Sequence, residues 1–357
     1  MLNPIRPTLM RTVAALLLVV AACLPVSAQD PAPAAPEAPA PLRVVATLPD
    51  LGDLAETIGG DDVHVQSLVR GPQDPHHLVA RPGFIPMLAQ ADALVLSGME
   101  LEVGWLPPLL ENARNTRLVA GDVHYIDCSV AIVPLEVPNG VSRDMGDVHP
   151  AGNPHYLLDP INGLHVARLL RDRFSSMRPD ATRRFADRCD AFERKLAVAM
   201  AGEKLAAKYS IEKLAAVFSA GKLQKFLEQT NQSDSLGGWF KLLVAHHGAH
   251  IIDDHDAWLY FARRFSLVIV GHLEPKPGIS PTTTHLATVI DDVRSKEVKG
   301  LIQSPYFDPA HARFVCEKSG VKSVVLAHQV GSVDGTAHYL DMIDLDVRRV
   351  AGLLGGQ

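Results

Sequence analysis

The 357-residue sequence is poor in cysteine and in aromatic residues, with four Cys, three Trp and an aromatic content of 6%. No two cysteines have Cys-x-x-Cys spacing, which excludes a thiolate zinc ribbon and thioredoxin-like chemistry. The formal net charge of −6 excludes the basic surface that nucleic-acid-binding proteins present. Only one long apolar run is present, which excludes a protein with several membrane spans. The sequence also lacks the Gly-rich loops of nucleotide sites, the Gly-x-Ser-x-Gly elbow and the His-Glu-x-x-His motif of zinc proteases.

Histidine, by contrast, is abundant, with 16 residues in the chain. Imidazole titrates near neutral pH and is the commonest metal ligand in proteins. The remaining composition, 47% hydrophobic and 21% charged, is that of an ordinary globular protein. The length suggests two domains. The question is therefore where the histidines gather in the fold.

Residues 1–28 predict an export signal, because basic residues precede a short apolar run and Val26-Ser27-Ala28 forms a small-residue cleavage site. We therefore expect a protein that the signal peptide directs to the periplasm. The alternative is a lipid-anchored protein, since the residues ending at Cys23 resemble a lipobox. Residues 29–41 are rich in Pro and Ala and predict an extended linker.

Two parts of the chain, residues 42–160 and residues 246–357, alternate short apolar runs with helical patterns. Strands are predicted at 42–48, 63–69, 93–97 and 117–120 in the first part, and at 249–252, 267–271, 300–303 and 322–327 in the second. Residues 161–208 predict a helical connector, and residues 209–245 a helical insertion with a loop. We expect an α/β fold in which one long rigid connector helix joins two parallel-sheet lobes. Ligands of such sheets bind at the carboxyl ends of the strands, which here places the site in the cleft between the lobes.

Three loops place histidine just beyond a predicted strand or ahead of the connector. His76 lies in an Asp-Pro-His turn, His155 follows Gly152-Asn153-Pro154, and His255 stands between acidic residues. Neighbouring side chains on an extended segment point apart, so we expect His76 or its neighbour His77 to serve, but not both. The acids beside His255 are expected to accept its second ring N–H. All three loops can face one cleft.

Five motifs follow one another along the chain: Gln73-Asp74-Pro75-His76, Leu101-Glu102-Val103-Gly104-Trp105-Leu106, Gly152-Asn153-Pro154-His155-Tyr156-Leu157-Leu158-Asp159-Pro160, His255-Asp256-Ala257-Trp258-Leu259-Tyr260-Phe261 and Glu274-Pro275-Lys276-Pro277-Gly278-Ile279. With them the sequence resembles the TroA-like zinc/manganese solute-binding proteins of bacterial ABC importers. The resemblance runs from about residue 42 to the C-terminus, except for 205–241. It implies two lobes joined by a rigid helix, with a metal held by His76 and His155 from the N-terminal lobe and His255 from the C-terminal lobe.

The fourth ligand position departs from the family pattern. Relatives often carry Asp after the last strand, whereas here His328 is the nearest candidate, so the site has four histidines, or three and a water. Ser304 stands where relatives often carry an acid. The His-rich acidic loop of some zinc-binding members is missing, and His149 is one of only two histidines between Leu101 and His155. His149 is a further candidate ligand or hydrogen-bond partner.

These features predict an extracytoplasmic protein that binds zinc tightly and delivers it to the permease of an ABC importer in the cytoplasmic membrane. An imidazole-rich site without thiolates suits Zn²⁺, and Mn²⁺, which draws more carboxylate oxygen, is the alternative. We expect a monomer that is not an enzyme. Two less favoured readings are a zinc-dependent hydrolase with Asp253 or Asp256 as general base, and a surface adhesin.

Two structural points remain open in the sequence. Export permits a disulfide between Cys128 and Cys316, whereas Cys189 falls on an apolar helical stripe and is expected to be buried. The loop Glu274–Ile279, with two Pro and one Gly, predicts a rigid turn. Its alternative reading is a support for the site or a contact with the permease.

Overall fold

The computed structural model describes residues 39–140 and 149–355. The predicted signal peptide, Cys23 and most of the predicted linker lie outside these residues. Among the described residues, no helix is both long enough and apolar enough to cross a membrane.

The N-terminal lobe contains a four-stranded parallel sheet in the order β2-β1-β3-β4. The strands are β1 Leu42–Ala46, β2 Val63–Ser67, β3 Ala93–Leu96 and β4 Tyr125–Asp127, and the helices are α1 Pro49–Gly59, α2 Phe84–Gln90 and α3 Leu106–Ala113. All four residues of β3 are buried. Such an uninterrupted apolar run is typical of a parallel strand with both faces covered.

The strand predicted at 117–120 is wrong, because the fourth strand of this lobe begins only at Tyr125. Residues 117–120 form turns instead. The Asn115 side chain accepts a hydrogen bond from the Arg117 backbone N–H, and Asn115 O accepts one from Leu118 N–H. Val119 is 55% exposed. Local side-chain hydrogen bonding of this kind competes with strand pairing, and short apolar runs do not reveal it.

The C-terminal lobe repeats this plan with a second parallel sheet in the order β6-β5-β7-β8. Its strands are β5 His250–Asp253, β6 Val268–His272, β7 Gly300–Gln303 and β8 Ser323–Val325. Its helices are α10 Leu259–Arg264, α11 Thr283–Ser295, α12 Pro309–Ser319 and α13 Tyr339–Gly355. The two sheets have equivalent strand orders, and the predicted fold class of two parallel-sheet α/β lobes is confirmed.

The connection between the lobes consists of α4 Pro160–Met177 and α5 Thr182–Ala201, joined by the turn Pro179–Ala181. The two helices pack together at the turn, where the ring centroids of Phe174 and Phe185 are 5.8 Å apart. The apolar stripe of α5 is buried, as its spacing predicts: Phe185, Cys189, Phe192, Leu196 and Met200. α5 ends before the predicted limit at residue 208, because Gly202 adopts a φ of +80° that stops the helix.

After α5 the chain forms four short helices, α6 Glu203–Ala206, α7 Ile211–Ser219, α8 Leu223–Gln229 and α9 Gly238–Leu243. They bury apolar side chains such as Leu214, Phe218 and Phe240 against the common core. The described cysteines Cys128, Cys189 and Cys316 are free thiols, so the proposed pairing of Cys128 with Cys316 is absent.

Candidate metal site

The structure brings His76, His155 and His255 together. One ring nitrogen from each lies within 4.8 Å of the others. The ring centroids of His76 and His155 are 5.0 Å apart, and that of His255 is 5.6 Å from both. Within the described part of the chain, these three form the one group of His, Cys, Asp and Glu side chains with this spacing. Three of the four histidines chosen from the sequence therefore meet.

His76 is held by the turn that follows β2. Asp74 Oδ1 accepts hydrogen bonds from the backbone N–H of His76 and from its Nδ1, both at 2.9 Å. The buried Trp105 donates its indole N–H to Pro75 O at 3.0 Å, which fixes the turn to the rest of the lobe. Burial raises the pKa of Asp74, but its bonds to His76 outweigh this and hold the pKa below its usual value. Because Nδ1 is taken by the carboxylate, Nε2 is the nitrogen that His76 offers to a metal.

His155 lies on the loop before α4. The Asn153 side chain accepts its backbone N–H at 3.0 Å and donates to Asp256 O of the other lobe at 2.8 Å. Asp159 caps α4 by accepting Ile161 N–H at 2.9 Å. Arg264 holds this aspartate with two bonds of 2.7 Å. The His155 loop is therefore tied to both lobes.

The His155 ring borders a cavity, yet protein packs around it. Burial, together with the neighbouring imidazoles of His76 and His255, lowers the pKa of His155 well below its ordinary value. His155 is consequently neutral at pH 7 and keeps a lone pair for a metal.

His255 stands just past β5, and its Nδ1 hydrogen-bonds Glu274 Oε2 at 2.7 Å. The expectation that a neighbouring acid accepts this N–H is wrong. Asp253 pairs instead with His272 Nδ1, and Asp254 accepts the backbone N–H of Ser304. The strand directs both carboxylates into the lobe, away from the His255 ring. Burial lowers the pKa of His255, but the bond and charge of Glu274 and the nearby aspartates raise it to a net value above normal.

The carboxyl end of β5 is rich in acids with raised pKa values. Burial raises the pKa of Asp254 to about 7. Burial and the adjacent Glu136 carboxyl raise the pKa of Asp256 to about 7 as well. Burial would lower the pKa of His272, but the Asp253 carboxylate raises it to about 9. At pH 7 these pKa values leave Asp254 and Asp256 only partly ionised, and a cation bound beside them would favour their charged forms.

A cavity of about 170 Å³ opens beside His155 and His255. Its lining residues are Glu136, His149, Asn153, Pro154, His155, His255, Asp256 and Pro277. The ring centroid of His149 lies 5.3 Å from that of His76. Sequence reasoning did not assign Glu136 to the site, and it named Asp256 only as a base or partner. A larger, mostly apolar groove of about 880 Å³ beside α3 lies elsewhere on the N-terminal lobe.

His328 lies outside the group of three. Its Nε2 hydrogen-bonds Gln73 O at 3.2 Å, and its ring centroid is 4.5 Å from that of Tyr306. Burial lowers the pKa of His328 to about 4, so the ring is neutral and Nε2 carries the proton that it donates. In this position His328 links the C-terminal lobe to the turn that carries His76.

Comparison with known proteins supplies the family context. A family model described as "ZnuA: Zinc-uptake complex component A periplasmic" matches residues 44–213 and 212–352. The metal ABC transporter substrate-binding lipoprotein ScbA of Streptococcus cristatus is 28% identical over 159 residues, which is 44% of this chain and 48% of ScbA. A manganese ABC transporter substrate-binding lipoprotein PsaA of Streptococcus pneumoniae is 26% identical over 284 residues, 78% of this chain and 77% of PsaA. In the ScbA alignment the chain thus spans about half the length of its relative.

Solved structures agree in fold. A crystal structure of ZnuA is 20% identical with a TM-score of 0.63, covering 87% of this chain and 98% of that one. A mutant of the laminin-binding adhesin Lmb from Streptococcus agalactiae is 17% identical with a TM-score of 0.63, covering 88% and 99%. At these identities the agreement concerns the fold alone.

Proposed function

The chain belongs to the ZnuA family of metal ABC transporter substrate-binding proteins, and from this premise we propose that it captures Zn²⁺ and delivers it to an ABC importer. The observation that carries the proposal is the approach of three imidazole nitrogens to within 4.8 Å of one another. They come from both lobes, as a cargo site between lobes requires. We propose His76, His155 and His255 as the ligands.

The choice of zinc rests on the donor set. Three imidazole donors without a thiolate suit Zn²⁺, which binds histidine nitrogen at about 2.0–2.1 Å in tetrahedral geometry. Asp74 and Glu274 hold the second nitrogen of two of these rings, which is the usual support for zinc-binding histidines. Manganese is the alternative, because PsaA relatives are named for it and because the carboxyls of Glu136 and Asp256 line the adjoining cavity.

A tetrahedral zinc site needs a fourth donor. The sequence-based candidate is His328, which would have to give up its bond to Gln73 O to bind the metal with Nε2. His149 lines the cavity beside His155 and His255, and the same cavity has room for a water. The fourth donor therefore approaches from His328 on one side or from the cavity on the other.

We place the protein in the periplasm, with lipid attachment at Cys23 as the alternative, and we expect a monomer whose protein partner is the permease of the importer. Capture and release of an ion requires no chemical step. Zinc-dependent ester or amide hydrolysis by the purified protein would instead support the hydrolase reading, with Asp256 as the base beside the cavity. Cell binding that survives loss of the metal ligands would support an adhesin.

The decisive experiment measures the zinc stoichiometry of purified metal-free protein. The wild-type chain is expected to bind about one Zn²⁺, and the His76→Ala/His155→Ala variant none, because two of three ligands are gone. The control is His64→Ala, which removes an exposed histidine of β2 and should leave binding intact. Unchanged stoichiometry in the double variant would refute the proposed site. Competition between Zn²⁺ and Mn²⁺ for the wild-type protein then decides the cargo.

A further inference from the structure

We propose that Glu274 is a positioning residue that fixes the His255 ring for metal binding, an inference that rests on the function proposed above. Glu274 begins the loop Glu274–Ile279, for which the sequence favours a rigid turn over a support for the site or a contact with the permease. The structure gives this loop a specific contact with the site.

The contact is a short hydrogen bond between two buried side chains. Glu274 Oε2 lies 2.7 Å from His255 Nδ1, and the side chains are 9% and 7% exposed. A carboxylate only accepts hydrogen bonds, so Nδ1 must carry a proton, and in the neutral ring Nε2 then carries the lone pair. The bond thus selects the ring tautomer and leaves Nε2 as the nitrogen that can bind a metal.

Strand pairing explains why a residue so far along the chain reaches His255. The pairing of β6 with β5 continues beyond both strands, with Leu273 N–H bound to Asp253 O at 2.8 Å and Glu274 N–H bound to Asp254 O at 3.1 Å. Glu274 is therefore placed beside the residue that follows Asp254. Its position depends on the backbone of the sheet and not on a flexible loop.

The loop also holds the carboxylate from the other side. Gly278 N–H donates to the same Oε2 at 3.0 Å. Ile279 N–H closes the turn on Lys276 O at 3.0 Å. Gly278 adopts a φ of +75°, which glycine tolerates and other residues resist. Pro277 of this turn lines the cavity beside His255. The carboxylate is thus fixed before any metal arrives.

In the N-terminal lobe a carboxylate also holds the ring of a candidate ligand, but it comes from a neighbouring residue in the sequence. There Asp74 binds His76 Nδ1 at 2.9 Å from only two residues away, within one turn. In the C-terminal lobe, where Asp253 and Asp254 face inward, the partner comes from the next strand. Each lobe therefore brings a preoriented imidazole to the metal. Removing such a partner typically lowers metal affinity about 10–100-fold.

The test compares Glu274→Ala with Glu274→Gln and with Glu317→Ala. Gln keeps an oxygen that accepts from Nδ1–H but loses the charge, and Glu317 is an exposed glutamate on α12. Zinc affinity is measured by competition with a chromophoric chelator. The tautomer of His255 in the metal-free protein is read from imidazole ¹⁵N NMR.

We expect wild-type His255 to be the Nδ1–H tautomer. Glu274→Ala should bind zinc about 10–100-fold more weakly and show mixed tautomers of His255. The zinc affinity of Glu274→Gln should fall between that of Glu274→Ala and that of the wild type. Glu317→Ala should match the wild type. Affinity of Glu274→Ala within twofold of wild type, or an unchanged tautomer despite weaker binding, would overturn the inference. If Glu274→Ala does not fold, Glu274→Gln and Gly278→Ala decide by the same readouts. Absence of zinc binding by the wild type would refute the proposed function instead.

Discussion

The pH dependence of zinc binding is set by the different surroundings of the imidazoles. Zinc binds only neutral imidazole, so protons compete with it. Burial and the nearby rings of His76 and His255 lower the pKa of His155, which therefore stays neutral as the pH falls. Burial also lowers the pKa of His255, but the hydrogen bond and charge of Glu274 raise it to a net value above normal. His255 is consequently protonated at higher pH than an ordinary histidine, and binding weakens as the pH falls through its pKa.

The expected loss of zinc affinity follows from these two pKa shifts, downward for His155 and upward for His255. An imidazole with the reference pKa of about 6.5 is neutral in roughly nine of ten molecules at about pH 7.5 and in one of ten at about pH 5.5. Each such ligand weakens zinc binding about tenfold across this range. Because the pKa of His255 lies above the reference value, its protonation alone should weaken zinc binding by at least about tenfold across this range, whereas His155 remains neutral.

The assay is chelator competition at a series of pH values, with the near-ultraviolet circular dichroism of metal-free protein as the control for folding. A loss of less than about tenfold between about pH 7.5 and 5.5 would refute ligation by imidazoles.

Two further predictions identify the fourth metal donor and test the link between the lobes. Because His328 bonds Gln73 O through Nε2, we expect His328→Ala to weaken zinc binding by less than about tenfold. His149→Ala, beside the cavity, should weaken it more, and the reverse order in chelator competition would assign the fourth ligand to His328. Arg264→Leu leaves the Asp159 carboxylate, 9% exposed, without its partner and should lower the free energy of unfolding by about 3–5 kcal/mol in urea titrations. The exposed neighbour Arg263→Leu is the control, and equal losses in both would contradict a role for the buried pair.

The sequence predicts the fold well where burial alone decides the structure. β3 is buried along its whole length, and its uninterrupted apolar run stands out in the sequence. The ends of helices and strands are harder to predict from the sequence where they depend on a single hydrogen bond or on a residue with positive φ. The Asn115 turn replaces a predicted strand, and Gly202 ends α5 early. Both outcomes depend on local backbone geometry, which hydrophobic periodicity does not encode.

The same distinction governs the site. A short turn keeps its partners close in the sequence: the Asp-Pro-His spacing indicates a turn that presents His76, and the structure adds that Asp74 is the partner of its ring. The partner of His255 is not adjacent to it in the sequence. Asp253 and Asp254 point into the lobe, and the Glu274 carboxylate comes from the end of the neighbouring strand β6. Only the parallel pairing of β5 with β6 brings Glu274 there. Candidate ligands can therefore be predicted from the residues that follow strands, whereas the groups that orient those ligands depend on which strands are neighbours. For this reason the roles of His328 and Glu274 differ from what the sequence predicts. His328, expected to be a ligand, bonds a backbone carbonyl, whereas Glu274, expected only to begin a turn, holds the candidate ligand His255 in place.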